Sequence, residues 1–331
     1  MKIFSRVFDP SCRKETAVES PSHVTNNIII EPSASMKNSQ KAISDQRTGV
    51  ITGATSGIGR AAARQLCRFD LQLILISRNA AKGRSVTNEI CKISGKDNVT
   101  FIQADIANFA EIRQVASQLK KRYPRIDILV NNAGARFNDY KTNADGIELT
   151  FATNHLGHFL LTLLLLEPLN ASPGGRIINV SSDAHYGCPA DFGYVINSKT
   201  YDRKEAYGRS KLANLLFTYE LARKLAHTPI TANALHPGGV ATNLGKNNGM
   251  ISWTRHWVFY LMRRQLILPS KAAETITFLA VSDAVKGVSG KYFQNKKTIR
   301  SSDVSHDEAA AKTLWNFSER LVDEGWVIRG R

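Results

Sequence analysis

The stretch Val50-Ile51-Thr52-Gly53-Ala54-Thr55-Ser56-Gly57-Ile58-Gly59 decides the fold. A short apolar run ends in a glycine-rich turn, and an amphipathic stretch begins at about Ile58. Glycines at such a turn let the backbone bend tightly and approach a pyrophosphate. The helix start beyond them offers free N–H groups and the positive end of its dipole. The spacing is TGxxxGxG rather than GxGxxG. Many plain helices also start on glycines, so the turn gains meaning only from its place between the first strand and first helix of a βα series. In that place Gly53, Thr55, Ser56, Gly57, Ile58 and Gly59 become candidates for binding a dinucleotide.

Outward from this turn the same alternation repeats. LQLILIS at 71–77 precedes a helix expected through Glu89, and VTFIQAD at 99–105 precedes one through Lys121. IDILVNNAG at 126–134 leads to a long helix near Asn154–Leu169. GRIINVSS at 175–182 leads to a helix over Tyr207–Lys224, and PITANALHPG follows at 229–238. The strands read as continuous apolar runs, as in a sheet buried on both sides. Alternating strands and helices imply right-handed βαβ units. The expected fold class is therefore α/β, a single Rossmann-type doubly wound parallel sheet with helices on both faces, over residues 47–331. Residues 1–46 mix Ser, Asn, Pro and charges and read as a flexible polar tail.

The chain has 331 residues, enough for a full core, with 43% hydrophobic and 22% charged residues and a net charge of +16. The positive excess is uneven: residues 251–300 hold nine Lys/Arg against two Asp/Glu, and residues 1–47 hold seven against five. A basic C-terminal surface suits phosphorylated cofactors, acidic substrates or anionic lipid, and equally a solvated face with no partner. No nucleic-acid partner is expected. Cys12, Cys67, Cys91 and Cys188 are widely spaced without a C-x-x-C pair, against a zinc site or a disulfide scaffold. The first residues, MKIFSRVFDPSCRKE, have no sustained apolar core. Neither a secretory signal nor a membrane anchor is expected there, and the expected location is cytoplasmic or peripheral to a membrane on the cytosolic side.

Two further places bear on chemistry. NAD enzymes commonly place Asp or Glu about 20 residues after the glycine turn, to bind the ribose hydroxyls. Here Ser77-Arg78 fills that position, and Asp70 lies at the other end of the strand, roughly 23 Å away. Arg78 could pair with a 2′-phosphate and stack on adenine, which favours NADP(H). Farther on, Tyr207 and Lys211 are spaced i,i+4, on one face of a helix. A free tyrosine, with a pKa of about 10, is a poor base near neutrality, and a neighbouring ammonium lowers that value. The Y-x-x-x-K spacing alone is common on helices.

Taken together these motifs resemble the short-chain dehydrogenase/reductase family over about residues 48–300. The matches are TGATSGIG at 52–59, Asp105, Asn131-Asn132-Ala133-Gly134, Asn154 in NHLGH, NVSS at 179–182, YGRSK at 207–211 and HPGGVATN at 236–243. The resemblance implies a catalytic tetrad of Asn154, Ser182, Tyr207 and Lys211. Ser182 would hydrogen-bond the substrate oxygen, and Tyr207 would protonate or deprotonate it while a hydride moves to or from nicotinamide. Lys211 would bind the ribose and tune Tyr207, and Asn154 would order a water that completes a proton relay. Choosing Ser182 over Ser181 rests on the resemblance alone. It also implies Asp105 and Ile106 at the adenine, with Asn132, Ala133 and Gly134 along the ribose. Pro237, Gly238, Val240 and Thr242 would lie on the carboxamide and phosphate side. The long interval between Ser182 and Tyr207, with DFGYVINSKTYDRKEA inside it, is similar to retinol-dehydrogenase-like and protochlorophyllide-reductase-like members. The family's lobe after the PG motif, about 244–270 here, implies a substrate cover, and the family often forms homo-oligomers.

The expected function is NADP(H)-linked interconversion of a lipophilic aldehyde or ketone and its alcohol, working as a reductase. Within the lobe, WTRHWVFYLMRRQLIL at 253–268 joins bulky apolar residues to arginines. It reads as a substrate lid, and such a basic amphipathic stretch at 251–268 could also lie on a membrane surface. His155 and His158 have H-x-x-H spacing but no third ligand follows, so no metal is expected and both read as structural. The rival readings are a non-catalytic dinucleotide-binding regulator or scaffold, and a peripheral membrane protein anchored through 251–268.

Overall fold

The computed structural model describes residues 30–31, 46–240 and 267–323. Among the described residues nine strands form one sheet: β1 (Ile30–Glu31), β2 (Arg47–Thr52), β3 (Leu71–Ser77), β4 (Val99–Gln103), β5 (Ile128–Asn131), β6 (Arg176–Val180), β7 (Thr231–Leu235), β8 (Tyr292–Gln294) and β9 (Lys297–Ile299). Their order is β1-β4-β3-β2-β5-β6-β7-β8-β9. Strands β2 to β8 pair in parallel, and the two edges differ from the all-parallel expectation. At one edge β1, which lies inside the segment read as a tail, pairs antiparallel with β4. At the other, β8 and β9 form an antiparallel hairpin. Its turn residues Asn295 and Lys296 have φ of 49° and 64°, the left-handed pair that a two-residue hairpin favours.

The parallel strands are apolar along their length because both faces are covered. In β3, Leu71, Leu73 and Leu75 point into one core with α1 (Gly57–Leu66), α2 (Ala80–Ser94) and α7 (Pro269–Val281). Ile74 and Ile76 point into the other. There they meet α3 (Phe109–Arg122), a helix α4 over 149–164, α6 (Arg203–Lys224) and α8 (Glu308–Leu321). This is the period-two alternation of a strand with two buried faces. A short helix α5 (Leu166–Asn170) ends the α4 arm.

Connectivity places the site. From β2 the chain moves outward through β3 to β4, then returns to lay β5 on the other flank of β2. Two connections therefore diverge at the carboxyl ends of β2 and β5, where open α/β sheets bind ligands.

Helix α4 starts earlier than the sequence suggests and is not uniform. It runs as Leu149–Phe151, a π-helical turn Ala152–Leu156, and Gly157–Leu164. Its first turn is capped by the buried Glu148 carboxylate, which accepts the Thr150 and Phe151 N–H groups. Gly157 is required by packing, since a Cβ there would lie 1.9 Å from the Ile106 carbonyl oxygen. The insertion before Tyr207 folds into two 3-10 turns, Gly193–Ile196 and Ser198–Thr200, and α6 begins behind them on an Asp202 cap.

Among the described residues no helix is long and apolar enough to cross a membrane. The 1–46 tail apart from residues 30–31 and 46, Thr242, the amphipathic stretch apart from Ile267 and Leu268, and the 244–270 lobe apart from its last four residues lie outside the described residues.

Candidate active site

At the end of β2, Gly53 has φ +67° and Gly57 +52°, conformations that side chains resist. The Gly53 N–H is held by the Ile76 carbonyl at 2.8 Å, which pins the turn to the end of β3. A Cβ on Gly59 would lie 2.4 Å from both the Gly53 oxygen and Asn132 Nδ2, so that glycine lets α1 start against β5. The exposed Ser56 precedes α1 and makes no side-chain cap. By contrast α2, α3 and α6 are capped by Asn79, Asn108 and Asp202. The one uncapped start among these four is at the glycine turn, and it leaves first-turn N–H groups for an anion. Beside it Thr55 Oγ1 and Ser77 Oγ are 3.1 Å apart.

Arg78 stands exposed at the end of β3, and its guanidinium lies 3.5 Å from the Asp105 carboxylate. Two residues expected at the adenosine end thus adjoin. Asp105 is fixed at the end of β4: its N–H donates to Glu111 and its Oδ1 accepts from Ala107. Ile106 beside it is buried under Gly157. An exposed ion pair of this kind contributes little to stability, so Arg78 can be drawn to another anion at small cost.

Thr52 is a residue that the motif reading passed over. Its buried hydroxyl accepts the N–H groups of Asn132 at 2.9 Å and Ala133 at 3.0 Å, and it contacts Val130 O and His158 Nε2. Asn132 returns the link by donating Nδ2 to the Thr52 carbonyl at 2.8 Å. These bonds lock the 132–134 loop to the glycine turn. A hydroxyl-bearing residue at the end of an apolar strand was the signal, and its partners lie about 80 residues away in sequence.

Of the four tetrad candidates, Asn154 on α4 and Lys211 on α6 border Gly134, Tyr207 lies beside Lys211, and Ser182 follows the end of β6. Asn154, in the π-helical turn, is fully buried; its amide pairs with both backbone groups of Ala135 and donates to Ser210 Oγ at 2.9 Å. A Cβ on Gly134 would lie 3.5 Å from Asn154 Oδ1 and 3.7 Å from Lys211 Nζ, so both border that glycine. The Lys211 ammonium is buried and donates to the Val180 carbonyl at 3.1 Å. Burial pushes its pKa down to about 8. The ammonium lies 5.7 Å from the centre of the Tyr207 ring, one turn away on α6.

The two serines after β6 separate clearly. Ser181 is buried and donates to the Lys211 carbonyl at 2.7 Å. Ser182 is half-buried; its hydroxyl donates to Asp183 Oδ1 at 2.9 Å and accepts from the Ala184 N–H. His236 accepts the Asp183 N–H at 3.2 Å and so braces the Ser182 turn against the end of β7. Pro237 to Val240 continue from β7; Gly238 has φ +85°, and Val240 bridges Ile267.

The H-x-x-H pair does not converge on one point. His155 contacts Asn214 Oδ1 at 3.3 Å and Ser318 Oγ at 2.9 Å, whereas His158 faces Thr52. Burial lowers their pKa values to about 3 and about 4, so both are neutral at physiological pH. Among the described residues no group of three His, Cys, Asp or Glu side chains could hold a metal.

The sequence profile of the short chain dehydrogenase family matches residues 47–250. Retinol dehydrogenase 13 of Homo sapiens is 40% identical over 288 residues, covering 85% of this chain and 86% of its own length. Short-chain dehydrogenase TIC 32 B, chloroplastic, of Brassica napus is 38% identical over 287 residues, covering 83% and 88%. Among solved structures, an uncharacterized protein from Mycobacterium Paratuberculosis superposes with a TM-score of 0.66 at 30% identity, covering 85% of this chain and 96% of its own.

Proposed function

The chain belongs to the short-chain dehydrogenase/reductase family of oxidoreductases acting on alcohol and carbonyl groups, and from that premise we propose that it is an NADP(H)-dependent reductase of lipophilic aldehydes or ketones. The observation that carries this reading is the buried Lys211 ammonium beside Tyr207, with Asn154 and Gly134 alongside. Burying that charge is costly and contributes nothing to packing that an apolar side chain would not. The uncapped start of α1, the glycines at positive φ and the exposed Arg78 fit a phosphorylated dinucleotide. Asp105 holds Arg78 at the end of β3, and its guanidinium would pair with a 2′-phosphate. When bound, NADP(H) supplies the hydride.

The roles of the protein groups follow from their chemistry. Ser182 turns its hydroxyl from Asp183 to the substrate oxygen. Tyr207 gives that oxygen a proton from its phenol, and the Lys211 ammonium favours the phenolate left behind. Lys211 has two N–H bonds beyond the one to Val180 O, enough for a ribose hydroxyl and a water. The Asn154 Nδ2 hydrogens go to Ala135 O and Ser210 Oγ and its Oδ1 accepts the Ala135 N–H, so a water that the amide orders would donate to the one lone pair left on Oδ1. The lipophilic substrate class rests on likeness to a relative named for retinol. Reduction is the favoured direction because cells keep the NADP pool mainly reduced. On sequence alone, 251–268 supports contact with the cytosolic surface of a membrane. Liposome flotation of wild type against Trp257→Glu tests that contact, and equal flotation would remove it.

The test of the function is a carbonyl panel including retinal, steroids and simple aldehydes, assayed with NADPH and NADH. Tyr207→Phe is expected to abolish turnover while NADPH binding, read by nicotinamide fluorescence, persists. Retained turnover would refute the mechanism. Nucleotide binding without turnover of any carbonyl by the wild type would favour the scaffold reading instead.

A further inference from the structure

The bonds of His158 determine its tautomer. Nδ1 lies 3.1 Å from the Asn154 carbonyl oxygen, which can only accept, so Nδ1 carries the hydrogen. The ring is neutral, which leaves Nε2 as a bare acceptor 2.9 Å from Thr52 Oγ1. The Thr52 hydroxyl therefore donates to His158, and its oxygen accepts the Asn132 and Ala133 N–H groups. Every hydrogen in the chain points one way, from the 132–134 loop through Thr52 and His158 to Asn154.

We propose that His158 is a positioning residue for turnover, its Nδ1–H imidazole fixing the Asn154 carbonyl of the π-helical turn to Thr52 and the nucleotide loop. The proposal rests on the reductase reading, since positioning Asn154 matters only if Asn154 and Lys211 take part in turnover. A π-helical turn departs from the regular i→i+4 ladder, which makes carbonyl direction within it depend on outside partners. Because the Asn154 amide is committed to Ala135 and Ser210, the carbonyl is the group of that residue whose direction the imidazole can set.

The two ends of the brace differ in what replaces it. Thr52 has a second acceptor, the Val130 carbonyl at 3.3 Å. If the imidazole is removed, the hydroxyl turns to Val130 while its oxygen still accepts both loop N–H groups. The Asn154 carbonyl has the His158 Nδ1–H as its side-chain donor. Loss of His158 thus spares nucleotide binding and harms turnover.

In the experiment His158→Leu and His158→Gln are compared with wild type for NADPH affinity by fluorescence, for kcat on the best carbonyl of the panel, and for Tm. The wild-type tautomer is read by 15N NMR of the histidine rings. His158→Leu is expected to keep its NADPH Kd within about threefold while kcat falls about tenfold or more, the scale of a small misplacement at a reacting site. His158→Gln, with a donor and an acceptor at similar reach, is expected to recover most of kcat. NMR is expected to show Nδ1–H at pH 6 to 8. If His158→Leu does not fold, the glutamine variant and the tautomer carry the test. The idea fails if kcat of His158→Leu stays within about twofold, if glutamine does no better than leucine, if Kd and kcat are lost in parallel, or if Nε2 bears the hydrogen. A wild type that turns over no carbonyl sinks the reductase reading and the positioning role together. An active wild type with an equally active leucine variant sinks the positioning role alone.

Discussion

Burial of the Lys211 ammonium costs stability. Its pKa falls from 10.5 to about 8 on burial, so between those values the unfolded chain binds more protons than the folded one. Stability from this group therefore rises with pH across that window: the penalty is fully present below about pH 8 and gone above 10.5. Lys211→Met should remove turnover yet raise stability at pH 7 by about 1–3 kcal/mol, the shift converted and discounted for the lost bond to Val180. Its advantage should shrink by pH 10. Thermal melts at both pH values check this, and a variant less stable at pH 7 than at pH 10 relative to wild type would contradict it. At the same scale Arg78→Asp should shift preference from NADPH towards NADH, read as a ratio of kcat/KM values. An unchanged ratio would remove the cofactor argument. Both residues were legible in the sequence, one from its i,i+4 spacing and the other from its place at a strand end. The different settings of Ser181 and Ser182 were not, because only folding shows that the Ser181 hydroxyl is spent on the Lys211 carbonyl.

At the scale of elements, α4 carries most of what sequence could not supply. Helical periodicity announces a helix near 154 but averages over turns, so a single π-helical turn at Ala152–Leu156 leaves no mark in it. Nor does H-x-x-H spacing show that one ring turns to Thr52 and the other to Asn214 and Ser318, since those partners come from other elements. The glycine of NHLGH was visible, but its reason is the Ile106 carbonyl, a contact 51 residues apart in sequence. That contact makes Gly157→Ala a sharp test of how α4 docks on the end of β4. A methyl group placed 1.9 Å from a carbonyl oxygen must push the helix or the loop away. The variant should lose about 1–3 kcal/mol of stability, the usual scale of overpacking. Its NADPH affinity should weaken as well, because the displaced loop carries Asp105 and Ile106. Melting and fluorescence titration measure the two effects. Unweakened affinity in a destabilised variant would mean that α4 moves and the nucleotide loop does not.

Over the whole molecule, the βα alternation was readable because burial on both faces writes continuous apolar strands, and the glycine turn marked where the order switches. The antiparallel edges and the role of α8 were not readable, because they depend on distant segments meeting. Helix α8 lies over α4 and α6: Trp315 packs on Phe159 at 5.1 Å and on Phe217 at 5.8 Å between ring centres. The Lys224 ammonium lies 4.7 Å above the Trp315 ring. Ser318 reaches His155, which meets Asn214, and Asn214 shares the Val180 carbonyl with Lys211. The C-terminal helix is thus part of the same core as the site, although it lies beyond the 47–250 segment matched by the family profile. Trp315→Ala should cost about 3–5 kcal/mol, as for other buried aromatic truncations. Because α8 shares that core, the loss should appear as one earlier cooperative transition. Near-UV and far-UV circular dichroism should melt together in the variant as in wild type, and saturating NADPH should raise both midpoints. A separate early transition seen only in the near-UV signal would show that α8 detaches on its own, leaving the nucleotide-binding sheet to unfold later without it.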